Sequence, residues 1–390
     1  MIRRYSAAFF AGLGARLTPG QRKSLAAMGA CRTAAMGTHV QACSHCGAEF
    51  VLYNSCGDRH CPQCQGGRRG AWFQKQQQDL LPVEYFHVVF TVPDTLNGLA
   101  LAHPAEFYNL LFRAARETLL EAAQTSRYLG GQIGGVMVLH TWGQNLSLHP
   151  HLHVIVPGGA IAPDGQAWRS CPRGFFLPVR VLSRLFRGKL LAYLLEAHDG
   201  GRLPMTGGQA HLADPQQFRR FLSPLYQADW VVYAKPSVSG QPETILGYLA
   251  RYIHRVAISN QRLVSIEHGS ITFDYKDYAR GNRWQPMTLP AEEFLRRLSQ
   301  HLLPPGFMRV RSFGFLANCH RKEKLALIRQ LLEVPPAATG SVVADMTQTQ
   351  QSACCPHCGQ AALYTVRRTH RPTVPDLIAC TYGPRPFDTS

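Results

Sequence analysis

The placement of the cysteines constrains the fold more than any other feature. Of twelve in 390 residues, six lie between Cys31 and Cys64 and three between Cys354 and Cys358, leaving Cys171, Cys319 and Cys380 apart. A chain of this length buries a sufficient core without covalent staples, so such clustering favours metal-held modules over a disulfide framework. Cys43-Ser-His-Cys46 and Cys61-Pro-Gln-Cys64 are C-x2-C knuckles fourteen residues apart. Each knuckle aims two thiolates at one ion and two knuckles complete a tetrahedron, so Cys43, Cys46, Cys61 and Cys64 are expected to hold a structural zinc, on which the folding of the segment depends. Cys31, His39, Cys56 and His60 form a second potential set. Cys355-Pro-His-Cys358 is a third knuckle, a possible zinc ribbon with Cys354, His370 and Cys380 as candidate completers.

The rest of the chain reads as α+β. A basic helix over 68–81 ends at Pro82, and an apolar strand over 85–92 ends at Pro93. Helical spacing follows over 106–123, then a strand pair at 135–142 and 151–156 around a turn at 145–150. Helices near 179–196 and 216–226 precede a strand at 230–234, a helix at 243–258 and a hairpin of 263–267 with 271–275. Helices at 291–302 and 322–332 close the series. The expected organisation is an N-terminal arm and zinc-binding domain (1–81) and a sheet domain (82–290) with a helical segment inserted at about 157–228. A helical extension (291–334), a linker rich in Ala, Thr, Gln and Ser (335–352) and a small Cys-bearing tail (353–390) follow.

No uninterrupted apolar run approaches the ~18 residues of a membrane span. The short apolar stretch from Ala7 is broken by Gly12 and Gly14 and closed by Arg16, unlike a secretory leader, so the protein is expected in the cytoplasm with no membrane partner. Forty-one Lys and Arg against 24 Asp and Glu leave a formal charge of +17, which favours a polyanionic partner, nucleic acid first among them. Arg68, Arg69 and Lys75, Arg184, Arg187 and Lys189, and Arg251, Arg255, Arg309 and Arg311 are the candidate phosphate contacts. Trp72, Phe73, Trp142, Phe186 and Trp284 are candidates to stack unpaired bases.

Leu148-His149-Pro150-His151-Leu152-His153 runs into the apolar strand Val154-Ile155-Val156. Residues two apart on a strand share a face, so His151 and His153 can share one ion. The partner strand of the hairpin offers His140 or Gln144 as a further ligand. Imidazole and oxygen ligands with open positions suit Mn, Mg or Zn, and such an ion polarises a phosphodiester. On the helix that follows, Tyr248 and Tyr252 are i, i+4 neighbours on one face. A phenol is a poor nucleophile at neutral pH unless cationic charge favours its phenolate, and attack on phosphorus then gives a covalent phosphotyrosine.

His151-Leu152-His153 together with Tyr248-x-x-x-Tyr252 resembles the HUH endonucleases in their two-tyrosine branch. More narrowly, Cys56-Gly-Asp-Arg-His-Cys61-Pro-Gln-Cys64, the strand ending Phe90-Thr91-Val92-Pro93, and the stretch from Gly247 to Asn260 resemble rolling-circle insertion-sequence transposases of the IS91 type, which carry an N-terminal zinc domain. The likeness spans roughly Cys31 to Leu332 and stops short of the Cys354 to Ser390 tail. It implies a DNA transposase with an HUH-type antiparallel sheet flanked by helices, acting on single-stranded DNA at element ends and on target DNA. It further implies metal-dependent nicking through a 5′-phosphotyrosine, with Mg or Mn held by His151 and His153 and with Tyr248 and Tyr252 as nucleophiles. No G-x4-G-K-[ST] phosphate loop occurs, so strand separation is expected to need a host helicase or replication machinery. The rival readings are a plasmid replication initiator or relaxase of the same chemistry, a hydrolase working through activated water, and a non-catalytic zinc-finger DNA-binding protein.

Overall fold

A computed structural model describes residues 1–65, 79–238, 255–278, 280–334 and 354–369, together with 244, 247, 252 and 253. The helix expected at 68–81 and most of the one expected at 243–258 lie outside the described residues. The chain forms two compact units, each discontinuous in sequence: Met1–Gly67 with Ile258–Leu302 and Pro336–Ser390, and Arg68–Ala257 with Leu303–Pro335.

The first unit opens on helices α1 (Ile2–Leu13) and α2 (Pro19–Ala30). Thr18 starts α2 because its hydroxyl accepts from the Gln21 amide while the Gln21 side chain accepts from the Thr18 amide, with Pro19 fixing the first turn. Strand β1 (Thr38–Cys43) then lies between β2 (Glu49–Tyr53) and the tail strand β13 (Leu363–Arg368), antiparallel to both. The tail is therefore the third strand of the N-terminal sheet and not a free ribbon. A lone β1–β2 hairpin leaves one edge of β1 unpaired, and pairing from Cys43↔Leu363 to His39↔Arg368 satisfies it. A second sheet is the meander β9 (Leu263–Glu267), β10 (Ser270–Asp277) and β11 (Arg283–Pro290), which continues into α7 (Ala291–Ser299). Phe273 on β10 and Phe294 on α7 are wholly buried edge to face. Arg4 donates to the Ile266 carbonyl at 3.0 Å and Gln21 to that of Ser299, also at 3.0 Å. These contacts tie 258–302 to the N-terminal helices, whereas the sequence expectation divided that stretch between the sheet domain and a separate extension.

The second unit is built on five antiparallel strands in the order β12-β4-β5-β3-β8. They are β3 (Tyr85–Thr91), β4 (Gly134–Trp142), β5 (Leu148–Pro157), β8 (Val232–Val238) and β12 (Val310–Gly314). A short hairpin of β6 (Gly159–Ile161) and β7 (Trp168–Ser170) follows β5. One sheet face packs on the helices. Phe86, Val88 and Phe90 of β3 and Leu152, Val154 and Val156 of β5 are buried in one core with residues of α4 (Pro104–Gln124), α5 (Val179–Asp199) and α6 (Pro215–Gln227). Phe90 meets Phe186 of α5 at 4.9 Å between ring centroids. The segment expected as an insertion thus supplies much of the helical layer: Leu182, Phe186, Leu190, Leu194, Phe218 and Leu222 all belong to this core. Helix α3 (Asn97–Ala102) precedes α4, and α8 (Arg321–Leu331) buries Leu325 and Ile328 beside Phe315. Because side chains alternate along a strand, burying the even positions of β3 and β5 sends the odd ones to the opposite face.

Candidate active site and metal centres

That opposite face carries the histidines. His151 and His153 share it on β5, and the register His140↔His151 brings His140 from β4 directly across from them. The nitrogens of His140, His151 and His153 lie within 4.8 Å of one another. Gln144, the other candidate on this hairpin, stands in the turn beyond β4. His149 turns away toward Asp94, at 3.7 Å.

Hydrogen bonds orient each ring. His151 Nδ1 bonds the His149 carbonyl at 2.7 Å, so Nδ1 carries the proton and Nε2 offers its lone pair, 3.1 Å from His153 Nε2. His153 Nδ1 bonds Nε2 of His87 at 2.7 Å. His140 Nε2 donates to the main-chain carbonyl of Tyr252 at 2.8 Å, leaving Nδ1 as its free donor pair. All of these rings are held neutral. Burial brings His151 down to about 4 and His87 to about 3. Burial first, and the charges of neighbouring histidines and Arg255 after it, put His140 and His153 well below the ordinary imidazole range. Neutral imidazole is the form that ligates a metal.

Tyr252 reaches the same face. It is 8% exposed; its ring lies 4.6 Å from that of His153 and 4.5 Å from that of His87, and its hydroxyl accepts from Lys235 Nζ at 3.1 Å. Lys235 stands on β8 opposite His87 of β3. Arg309, only 8% exposed, donates to the carbonyls of Ile253 and Arg255 and so pins the backbone just after the tyrosine. Tyr248, Arg251, Arg68 and Arg69 lie outside the described residues. Sequence reasoning did not reach His87 and Lys235, whose places follow from the β5-β3-β8 strand order. The signal available was a histidine inside an otherwise apolar strand. Arg309, read there as a phosphate contact, is committed to the protein's own backbone.

The cysteines group differently from the sequence expectation. Cys31, Cys56, Cys61 and Cys64 form one buried set; Cys43 and Cys46 join Cys355 and Cys358 in another. Neighbouring sulfurs within the sets stand 3.5 to 3.7 Å apart. A tetrahedron with Zn–S bonds of about 2.3 Å has edges of about 3.8 Å, whereas a disulfide needs about 2.05 Å. The two outer knuckles are one local structure used twice. In each, the glycine after the second cysteine adopts positive φ (Gly47 at 72°, Gly359 at 75°) and its amide bonds the carbonyl of the first cysteine, at 2.9 and 2.8 Å. Pairing β13 with β1 brings the two turns together, which is why Cys43 and Cys46 leave Cys61 and Cys64. Hydrogen bonds hold two thiols down: the Cys46 amide brings Cys43 to about 6, and the Cys56 thiol brings Cys61 to about 5. His39 bonds Asn54 at 2.9 Å and His60 bonds Asp58 at 3.0 Å, and neither belongs to a set. Cys354 is exposed and outside both sets; His370 and Cys380 lie outside the described residues.

Comparison with known proteins decides the family. Residues 134–324 match the family model described as "Putative transposase", and residues 1–92 match that of the "Transposase zinc-binding domain". The chain is 46% identical over 398 residues to "Putative transposase y4qJ" of Sinorhizobium fredii (strain NBRC 101917 / NGR234), covering 100% of this chain and 98% of the relative. The chain belongs to the IS91 family of insertion-sequence transposases. Its similarity to "Transposase for insertion sequence element IS801" of Pseudomonas savastanoi pv. phaseolicola is 31% over 297 residues, 74% of this chain and 68% of that one. No solved structure matches. Within the transposase, the zinc-binding match contains Cys31, Cys56, Cys61 and Cys64 as well as His87, and the other match contains the three clustered histidines and Tyr252. Cys355 and Cys358 fall beyond both. Among the described residues no helix is long and apolar enough to cross a membrane.

Proposed function

We propose that this transposase moves its element by rolling-circle transfer of a single DNA strand, with Tyr252 as a nucleophile at a divalent-metal centre. The observation that carries the reading is the Tyr252 hydroxyl, bonded to Lys235, on the same sheet face as His140, His151 and His153. The three imidazoles would hold one divalent ion, Mg or Mn as the resemblance implies, with water and phosphate oxygens supplying the oxygen ligands those ions favour; a bound ion supplies Lewis-acid polarisation of the scissile phosphodiester and neutralises developing charge. His87 fixes the His153 tautomer and so keeps Nε2 aimed at the centre. The Lys235 ammonium favours the phenolate, whose oxygen bonds phosphorus while the P–O3′ bond breaks. The phenolic proton goes to water and the leaving 3′ oxygen takes one from water. The new phosphodiester is retained on tyrosine, so a 3′-hydroxyl can reverse the step at the target.

Tyr248, four residues earlier in sequence, supplies the second nucleophile that separate donor and target steps require. Arg68, Arg69, Arg251 and Arg255 serve the DNA backbone, both four-cysteine sets hold structural zinc, and a host helicase or replication machinery opens the duplex in the bacterial cytoplasm. The test incubates the full chain with Mg2+ or Mn2+ and labelled single-stranded oligonucleotides from the element ends. An SDS-resistant adduct that needs the metal, is absent from blunt duplex and is lost in the Tyr248→Phe, Tyr252→Phe double variant supports the reading. Nicking that persists in the double variant overturns it in favour of activated water. An equal preference for plasmid origins would point to a replication initiator.

A further inference from the structure

The second half of the β10–β11 hairpin has no folding role that its burial reveals. Eight residue pairs run from Ser270↔Pro290 to Asp277↔Arg283, but β9 accompanies β10 only as far as Phe273. Ile271 and Phe273 are fully buried, whereas among the described residues from 274 to 290 none is. What projects is a two-stranded ribbon closed by Gly281 and Asn282 at positive φ. On it stand two of the most exposed aromatic rings in the described chain, Tyr278 at 62% and Trp284 at 60%. A water-facing indole offers a partner a large apolar ring face with a polar N–H at its edge.

Charge says what the partner is. Residues 275–285 carry Lys276, Arg280 and Arg283 against a single acid, Asp277. Lys276 pairs across the strands with Trp284, which puts both on one face, and its Nζ lies 5.8 Å from the Tyr278 ring centroid. Aromatic faces interleaved with cations on a projecting ribbon match unpaired bases and their phosphates. Among the other sequence candidates for stacking, Trp142 and Phe186 are buried at 7 and 0% exposure and are unavailable to a ligand.

We infer that the 275–285 ribbon binds single-stranded DNA, with bases stacked on Trp284 and Tyr278 and phosphates on Lys276, Arg280 and Arg283. The choice of single strand over duplex rests on the proposed strand-transfer function. In the full chain, without added Mg2+ or Mn2+, an oligo(dT) of about twenty nucleotides is expected to shield Trp284 emission from iodide. Trp284→Ala is expected to weaken binding about tenfold and abolish the shielding. Trp284→Phe, which keeps a ring, is expected to retain affinity while losing the signal. Replacing Lys276, Arg280 and Arg283 with Ala flattens the salt dependence.

Unchanged affinity in Trp284→Ala, or an equal loss toward blunt duplex, overturns the inference. The covalent assay separates the two readings. A wild-type adduct together with unchanged Trp284→Ala binding leaves strand transfer standing and removes the ribbon. A tenfold loss in Trp284→Ala without any wild-type adduct does the reverse.

Discussion

His87 and Lys235 touch the centre of the sheet without belonging to either motif that identifies the chain. His87 acts on His153 through one 2.7 Å hydrogen bond. Losing such an outer partner typically weakens metal binding about 10–100-fold. His87→Ala is therefore expected to lower Mn2+ affinity by about that factor, measured calorimetrically, with His87→Gln closer to wild type; equal affinities in all three proteins would refute the positioning role. Lys235 acts on the nucleophile itself. Lys235→Met removes the cation beside the phenol and is expected to slow adduct formation at neutral pH about tenfold or more, with the rate recovering as pH rises toward the ordinary phenol pKa of about 10. A rate reduced equally at every pH would show that Lys235 only packs. His151 and His153 are legible in sequence as a same-face pair because alternation along one strand needs no tertiary information, whereas the choice of His140 over Gln144 needed the strand register. Their partners are not, because nothing in Tyr85–Thr91 or Val232–Val238 states that these strands lie side by side with β5.

The knuckles carry the same lesson at the level of elements. Two C-x2-C-Gly turns can be read directly from the chain, and the glycine requirement explains each locally. That Cys43 and Cys46 meet Cys355 and Cys358, across about three hundred residues of sequence, depends on β13 choosing the free edge of β1. Local spacing favours the nearer knuckle and cannot see that edge. Cys355→Ser is expected to cost one of two bound zinc equivalents, by metal analysis of the purified chain, and to expose the β1–β2 hairpin to protease. Cys61→Ser is expected to remove the other equivalent and to affect the packing at the end of α2. Unchanged zinc content in Cys355→Ser would mean that the tail sulfurs hold no metal. The longer helices and strands of the second unit, β3, β4, β5, β8, α4, α5, α6 and α8, were legible to within a few residues, since amphipathic period and Pro or Gly boundaries fix them; β6, β7 and α3 there were not. Strands β1, β2, β11, β12 and β13 were not, being short, half-exposed or irregular in pattern.

Across the whole molecule, the two units are assembled from segments distant in sequence, so linear boundaries could not describe them. The first unit uses both ends of the chain, and β13 with its knuckle is fastened by backbone pairing and by shared sulfurs. If a specific protease site is placed within residues 335–352 and cut, the C-terminal fragment is expected to stay with the rest through gel filtration and to separate once a strong chelator removes zinc; separation without chelator would contradict that fastening. The second unit, by contrast, contains His87, the histidine cluster, Lys235, Tyr252 and Arg309 together, so the groups of the proposed chemistry all lie within one unit. The most direct measurement locates the covalent bond. Trypsin cuts after Arg251 and so places Tyr248 and Tyr252 in different peptides. After reaction with a single-stranded element end and Mn2+, mass spectrometry is expected to find nucleotide on the peptide that begins at Tyr252. Nucleotide on neither tyrosine peptide, with the DNA nevertheless nicked, would contradict a tyrosine mechanism.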